Sequence, residues 1–132
     1  EALTSFWILK GVNVSGMLLK DGSGLSGTAL MTPRNITDIL NAAARFRSFP
    51  LFYESIPVAG ESGTVRSKSF GRNLNIRAKS GSIEGTRAYA GYINTRSGSR
   101  LSFVINAHRY VPDSSSKVVQ ELMGVVRLMG EL

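Results

Sequence analysis

The chain has 132 residues, a hydrophobic fraction of 42%, a formal net charge of +7, no cysteine and one histidine. That length suits one ordinary globular domain with a modest core rather than two domains, and the absence of cysteine excludes a disulfide framework or a thiolate metal site, while His108 alone cannot build a histidine-based one. No apolar stretch reaches the roughly 20 residues of a membrane span, and the opening EALTSFWILK has neither a basic leader nor a small-residue cleavage site, so the chain as written is expected to be soluble.

In chain order, Leu3, Phe6, Trp7 and Leu9 mark the end of an amphipathic helix over Ala2 to about Lys10, stopped near Gly11. The segment KDGSGLSG follows, where Asp, Ser and three Gly supply local caps and left-handed positions, and it is predicted to be a tight, ordered loop. Thr32-Pro33 then pairs an N-cap with a first-turn proline. Ile36, Ile39, Leu40, Ala43 and Ala44 recur at helical spacing, which predicts a helix from Pro33 to about Arg45.

The apolar stretch SFPLFYESIPV is broken by Pro50 and Pro57 and predicts a short buried helix between extended residues. AGESGTVRSKSFGRN reads as a surface loop around an ordered GTV turn. From Asn75 the pattern turns to extended runs, NIRAKS, RAYAGYINT and RLSFVINAHRY, the last two joined by the hairpin loop RSGS. Leu101, Phe103, Ile105 and Ala107 alternate with Ser102, Val104, Asn106 and His108, so one face of the last strand is predicted to be buried. Asp113 or Ser114 is expected to cap a final helix whose stripe of Val118, Val119, Leu122, Val125, Val126 and Met129 packs on the sheet.

The expected fold class is therefore α+β: helices, a three-stranded antiparallel meander, and a covering helix. Three strands are few, and the first has only one partner along the chain, so further strands are expected to be supplied from elsewhere. The start at Glu1 rather than Met points the same way, to a processed product or a longer protein whose N-terminal half is absent from this chain. The charge is uneven: Arg66, Lys68, Arg72, Arg77, Lys79, Arg87, Arg96, Arg100 and Arg109 face a single acid, Glu84, so an anionic partner is favoured in that half.

The stretch AKSGS, residues 78–82, sets Lys79 among small residues ahead of the apolar run AYAGYI, which leaves room for a ligand against the strand backbone. Alone, Lys79 reads first as an edge-strand lysine that discourages aggregation. Its neighbours favour more: an ammonium beside a hydroxyl suits a carboxylate, and strand N–H groups can serve as oxyanion donors.

DGSGLSG at 21–27, IPVAGESGT at 56–64 and IRAKSGSIEGTRAYAGYINTRSG at 76–98 together resemble the C-terminal half of a low-molecular-mass class C penicillin-binding protein, the D-alanyl-D-alanine carboxypeptidase/endopeptidase family S13. The resemblance extends over nearly the whole chain and implies a partial penicillin-binding/β-lactamase-like transpeptidase fold. It implies a serine-type hydrolase that attacks D-Ala-D-Ala bonds of peptidoglycan stem peptides through an acyl-enzyme and is trapped by β-lactams. A periplasmic or cell-envelope location is implied with it, and no cofactor.

Carried over by position, Lys79 tunes the electrostatics of proton transfer, Ser80 holds the substrate's terminal carboxylate, Gly81 leaves the cleft open, and Ser82 lends its backbone N–H to the oxyanion hole. Asp21 and Ser23 match a loop beside the cleft, where a structural role is expected. Gly27 stands where many relatives carry a basic residue, so it offers no contact to the acidic end of the stem peptide, and Glu84 is expected to repel that end.

The family's S-x-x-K nucleophile and S-x-N motif lie upstream of DGSGLS. No S-x-N occurs here, and Ser114-Ser115-Ser116-Lys117, the one S-x-x-K, follows the KSG strand instead of preceding it and reads as an N-cap. The chain alone is therefore expected to be inactive. The alternatives are a basic module for an anionic polymer or nucleic acid, though no nucleic-acid motif is present and Tyr89 and Tyr92 read as core, and a homo-oligomer joined through the unpaired edge strand.

Overall fold

A computed structural model describes residues 2–68, 75–83 and 85–132. The chain divides into two compact units, one up to Phe49 and one from Pro50 onward. Among the described residues no helix is long and apolar enough to cross a membrane.

In the first unit, α1 (Ala2–Leu9) ends where Gly11 adopts φ +77. The amphipathic expectation fails there, since none of its residues is buried and Leu3, Phe6, Ile8 and Leu9 are exposed. Trp7 and Phe46 stack with ring centroids 6.4 Å apart. Helix α2 (Pro33–Ala43) starts as its sequence predicts, and its cap is more complete than predicted. The Thr32 hydroxyl accepts from the Asn35 N–H at 3.1 Å while the Asn35 amide oxygen accepts from the Thr32 N–H at 2.9 Å, a reciprocal capping box. Asn35 is buried, and its amide nitrogen donates to the carbonyls of Asn13 and Ser15, tying the preceding segment to the helix.

The second unit is a meander: β1 (Ile76–Ile83), β2 (Thr86–Asn94) and β3 (Arg100–His108), antiparallel in the order β1-β2-β3. Helix α4 (Ser115–Gly130) covers one face. Its Leu122 and Val126 join Ile76, Ala78, Tyr89, Ile93, Phe103 and Val65 in one buried core, and Leu101, Ile105 and Ala107 pack against it. Val125, counted in the predicted stripe, is 47% exposed.

Ser114 holds the N-cap position of α4, but its hydroxyl makes no capping bond. A 3₁₀ turn at Pro112–Ser114 precedes the helix, and backbone bonds within it, such as Ser114 N–H to Val111 O at 2.8 Å, replace the side-chain cap.

On the opposite face lies α3 (Phe49–Ser55), which has no buried residue, contrary to the expectation of a buried helix. It is held by side chains instead. Arg77 of β1 donates to the carbonyls of Glu54 and Ile56 at 3.1 and 3.0 Å, covering acceptors left open at the helix end. The guanidinium carbons of Arg77 and Arg100 lie 4.9 and 4.3 Å from the Tyr53 ring centroid, and Tyr53 meets Tyr92 edge-on at 5.7 Å.

Candidate functional site

Strand β1 runs three residues past the predicted NIRAKS segment, through Gly81, Ser82 and Ile83. The ladder explains this: Ile83 pairs with Thr86 across a two-residue connection, and Gly85 supplies the positive φ, +65, that tight hairpins need. Glu84 lies outside the described residues, and so do residues 69–73 of the loop expected over 59–73.

The outer edge of β1 is partly covered, which corrects the expectation of a single partner. Val58 bridges Arg77, the Ala59 N–H donates to Ile76 O, and the Ala78 N–H donates to Pro57 O, both at 2.9 Å. Pro57 has no N–H of its own but still offers its carbonyl. This pairing ends at Ala78. Backbone groups alternate along a strand, so the N–H groups of Ser80 and Ser82 face the same outer edge as that of Ala78, beyond the covered stretch.

Lys79 is exposed, and its ammonium donates to the Ser80 carbonyl at 2.8 Å, which sets the charge along that edge. Ser80 is half-buried. Its hydroxyl lies 2.6 Å from that of Thr64, which the 3₁₀ turn Gly63–Val65 presents. That turn is anchored by Val65 in the core, and it is tight against Pro57: a Cβ added at Gly63 would fall 2.8 Å from the proline ring. Nothing in the sequence singled out Thr64 beyond its place in the GT turn.

Two glycines of this hairpin differ in what they require. A Cβ at Gly91, opposite Ala78, would meet the Arg77 carbonyl, so the close approach of β1 and β2 there demands glycine. A Cβ at Gly81 would meet only the Ala88 methyl at 3.8 Å, an ordinary contact, so the chain itself does not require glycine at that point.

Lys79, Ser80, Gly81 and Ser82 thus fall on one open strand edge. Asp21 and Ser23 belong to the first unit, where they order their own loop: Ser23 Oγ donates to Asp21 Oδ2, and the Gly24 N–H donates to Asp21 Oδ1, each at 3.1 Å. The loop is closed by backbone bonds between Leu18 and Leu30, and Gly24 adopts φ +77. Gly27 is exposed with open space around its α-carbon. No cluster that could hold a metal ion occurs among the described residues.

The lone S-x-x-K, Ser114 to Lys117, opens α4 at the far end of the meander in sequence, and Ser114 and Lys117 are exposed. Tyr89 and Tyr92 are 1% and 2% exposed and belong to the interior as predicted. Burial pushes both phenols up, that of Tyr92 to about 12, although Arg87 near Tyr89 and Arg100 near Tyr92 pull the other way.

Residues 1–127 match the sequence model of the D-Ala-D-Ala carboxypeptidase 3 (S13) family. The chain is 32% identical over 128 residues to carboxypeptidase DacB of Mycolicibacterium smegmatis, covering 91% of this chain and 28% of that protein. It is 35% identical over 106 residues to the D-alanyl-D-alanine carboxypeptidase of Actinomadura sp. strain R39, covering 74% of this chain and 20% of that protein. It therefore spans well under half the length of these relatives.

The fold superposes on penicillin-binding protein 4 of Haemophilus influenzae with a TM-score of 0.86 at 23% identity, over 99% of this chain and 31% of the other. A class A β-lactamase from Bacteroides cellulosilyticus matches with a TM-score of 0.67 at 13% identity, covering 97% and 53%. The fold is that shared by these proteins, represented here by part of it.

Proposed function

The chain belongs to the D-Ala-D-Ala carboxypeptidase 3 (S13) family, and from that premise we propose that it forms the substrate-binding wall of a serine-type D-Ala-D-Ala carboxypeptidase/endopeptidase that cleaves peptidoglycan stem peptides at the cell wall. The observation that carries this reading is the edge of β1 beyond Ala78, where a lysine ammonium, a positioned hydroxyl and outward N–H groups line one open strand backbone.

An extended peptide can add to such an edge as one more strand. Its terminal carboxylate then lies against the Ser80 hydroxyl and the Lys79 charge, where a charge-assisted hydrogen bond is stronger than a neutral one. The Ser82 N–H donates to the oxygen of the attacked carbonyl, whose negative charge develops in the tetrahedral intermediate. Lys79 lowers the cost of proton transfer through its field. Gly81 keeps the strand surface clear, consistent with a glycine that the chain's own packing does not demand.

The nucleophile is a serine outside these 132 residues, in an N-terminal portion that completes the domain. It attacks the carbonyl carbon, the D-Ala amine leaves with a proton, and water hydrolyses the ester. β-Lactams acylate the same serine and stop at the ester.

The test uses the complete natural polypeptide that carries this segment. Release of D-Ala from a stem-peptide substrate and acylation by a fluorescent penicillin are measured in Lys79→Ala and Ser80→Ala. Lys79→Ala should lower kcat/KM by roughly 100-fold or more, and Ser80→Ala by about 10- to 100-fold, as expected for a hydrogen bond to a charged group. Wild-type rates in both variants would refute the assignment.

A further inference from the structure

Behind the β1–β2 hairpin, on the face that α4 covers, a cavity of about 380 Å³ is lined by the polar side chains of Arg87, Lys68, Ser67, Ser115, Ser116 and Gln120 together with two apolar ones of α4. A second of about 220 Å³ shares Arg87 and Ser115 with it and reaches Ser82 and Tyr110. Among the described residues that line the two, none carries a carboxylate. Beside the apolar Val119 and Met123, the polar side chains of this cavity are two cations and a set of hydroxyl and amide groups, a donor-rich set with no counter-charge among the described lining residues.

Arg87 is the unusual member. Its Nε–H is shut off from solvent and finds no acceptor among the described residues. A guanidinium donor in that state is a cost that folding does not recover by itself, because its hydration is lost and nothing replaces it. Register places Arg87 directly opposite Ser82, so its side chain leaves the sheet on the α4 face. The first turn of α4, which contributes Ser115 and Ser116, adds the positive end of a 16-residue helix to the same space.

We propose that this cavity binds a small oxyanion, a carboxylate or phosphate group, which accepts from the Arg87 guanidinium and lies within the combined field of Arg87 and Lys68. The site lies on the covered face of the sheet and does not depend on the role assigned to the β1 edge.

Isothermal titration of the complete polypeptide with inorganic phosphate, and separately with citrate, at constant ionic strength tests this. At least one anion should bind saturably at one site, and which of them binds more tightly assigns phosphate or carboxylate as the preferred group. Arg87→Gln and Lys68→Gln should each weaken binding tenfold or more, and Lys79→Gln should leave it unchanged. Because Arg87→Gln removes a partly buried side chain, Ser116→Glu is the second variant: it places a carboxylate at the cavity on an exposed position and should compete with the added anion, again weakening it tenfold or more. Absence of saturable binding by either anion, binding that persists in both Arg87→Gln and Ser116→Glu, or loss confined to Lys79→Gln would overturn the proposal.

Discussion

The hydroxyl oxygens of Thr64 and Ser80 lie 2.6 Å apart, joining a 3₁₀ turn to the open edge of β1. The contact fixes the rotamer of the side chain that is proposed to meet the substrate carboxylate. Thr64→Val removes the partner and frees Ser80, so KM for a stem peptide should rise about fivefold, matching one neutral hydrogen bond, with kcat nearly unchanged. Thr64→Ser should restore the wild-type value. A rise in KM that Thr64→Ser fails to reverse would place the effect in packing instead.

Gly81 and Gly91 should respond in opposite ways to the same substitution. Gly91→Ala forces a methyl onto the Arg77 carbonyl and should cost about 3 kcal/mol of stability, the upper range for overpacking, read as a lower urea midpoint. Gly81→Ala meets only the Ala88 methyl and should shift stability by less than about 0.5 kcal/mol. It should nonetheless slow acylation by penicillin, because the added methyl stands on the edge where the ligand lies.

Tyr53 links α3 to the sheet through two guanidinium contacts and one ring contact. Tyr53→Leu keeps an apolar side chain but loses the ring face, and should destabilise by about 1 to 2 kcal/mol. Arg100→Gln in the Tyr53→Leu background should then cost less than it does in the wild type. Equal costs in the two backgrounds would mean that the pair is not coupled.

Alkaline unfolding has a defined direction. The folded state holds Tyr92 protonated up to about pH 12 and raises Tyr89 as well, against an ordinary value of 10.0. Between those values the native chain retains protons that the unfolded chain releases, so stability is intact below pH 10 and falls as pH rises toward 12. The slope from Tyr92 should approach about 1.4 kcal/mol per pH unit, and Tyr89 adds to it in the same direction. Tyr92→Phe should flatten the curve in a series of urea titrations across that window.

Helix α2, the β2–β3 hairpin and α4 are legible in the sequence from their apolar periodicity, joined at α2 by a capping box and at the hairpin by a Gly-containing loop. The end of β1 was not: Gly81 and Ser82 have low strand propensity, and pairing with β2 overrides it. The cover of residues 57–59 over β1 was hidden by Pro57, which cannot donate to a ladder but accepts from Ala78. Helix α3 looked buried because Leu51 and Phe52 are apolar, yet they are 75% and 41% exposed, and it is Tyr53 and the facing arginines that hold the helix. Within the candidate site, Lys79 and Ser80 were visible as a motif. Thr64 was not, and outside that site neither was the cavity around Arg87, which the sequence shows only as one of a set of basic residues, since each acquires its meaning from neighbours distant in sequence.

On the proposed reading, this chain supplies a binding wall while the acylated serine lies elsewhere. Mass mapping of the complete polypeptide after reaction with benzylpenicillin, with acylation rates for wild type and Lys79→Ala, tests it most directly. One adduct is expected, on a serine outside these 132 residues, with acylation slowed roughly 100-fold by Lys79→Ala. An adduct on Ser114, or on any other serine of this chain, or an unchanged rate in Lys79→Ala, would contradict it.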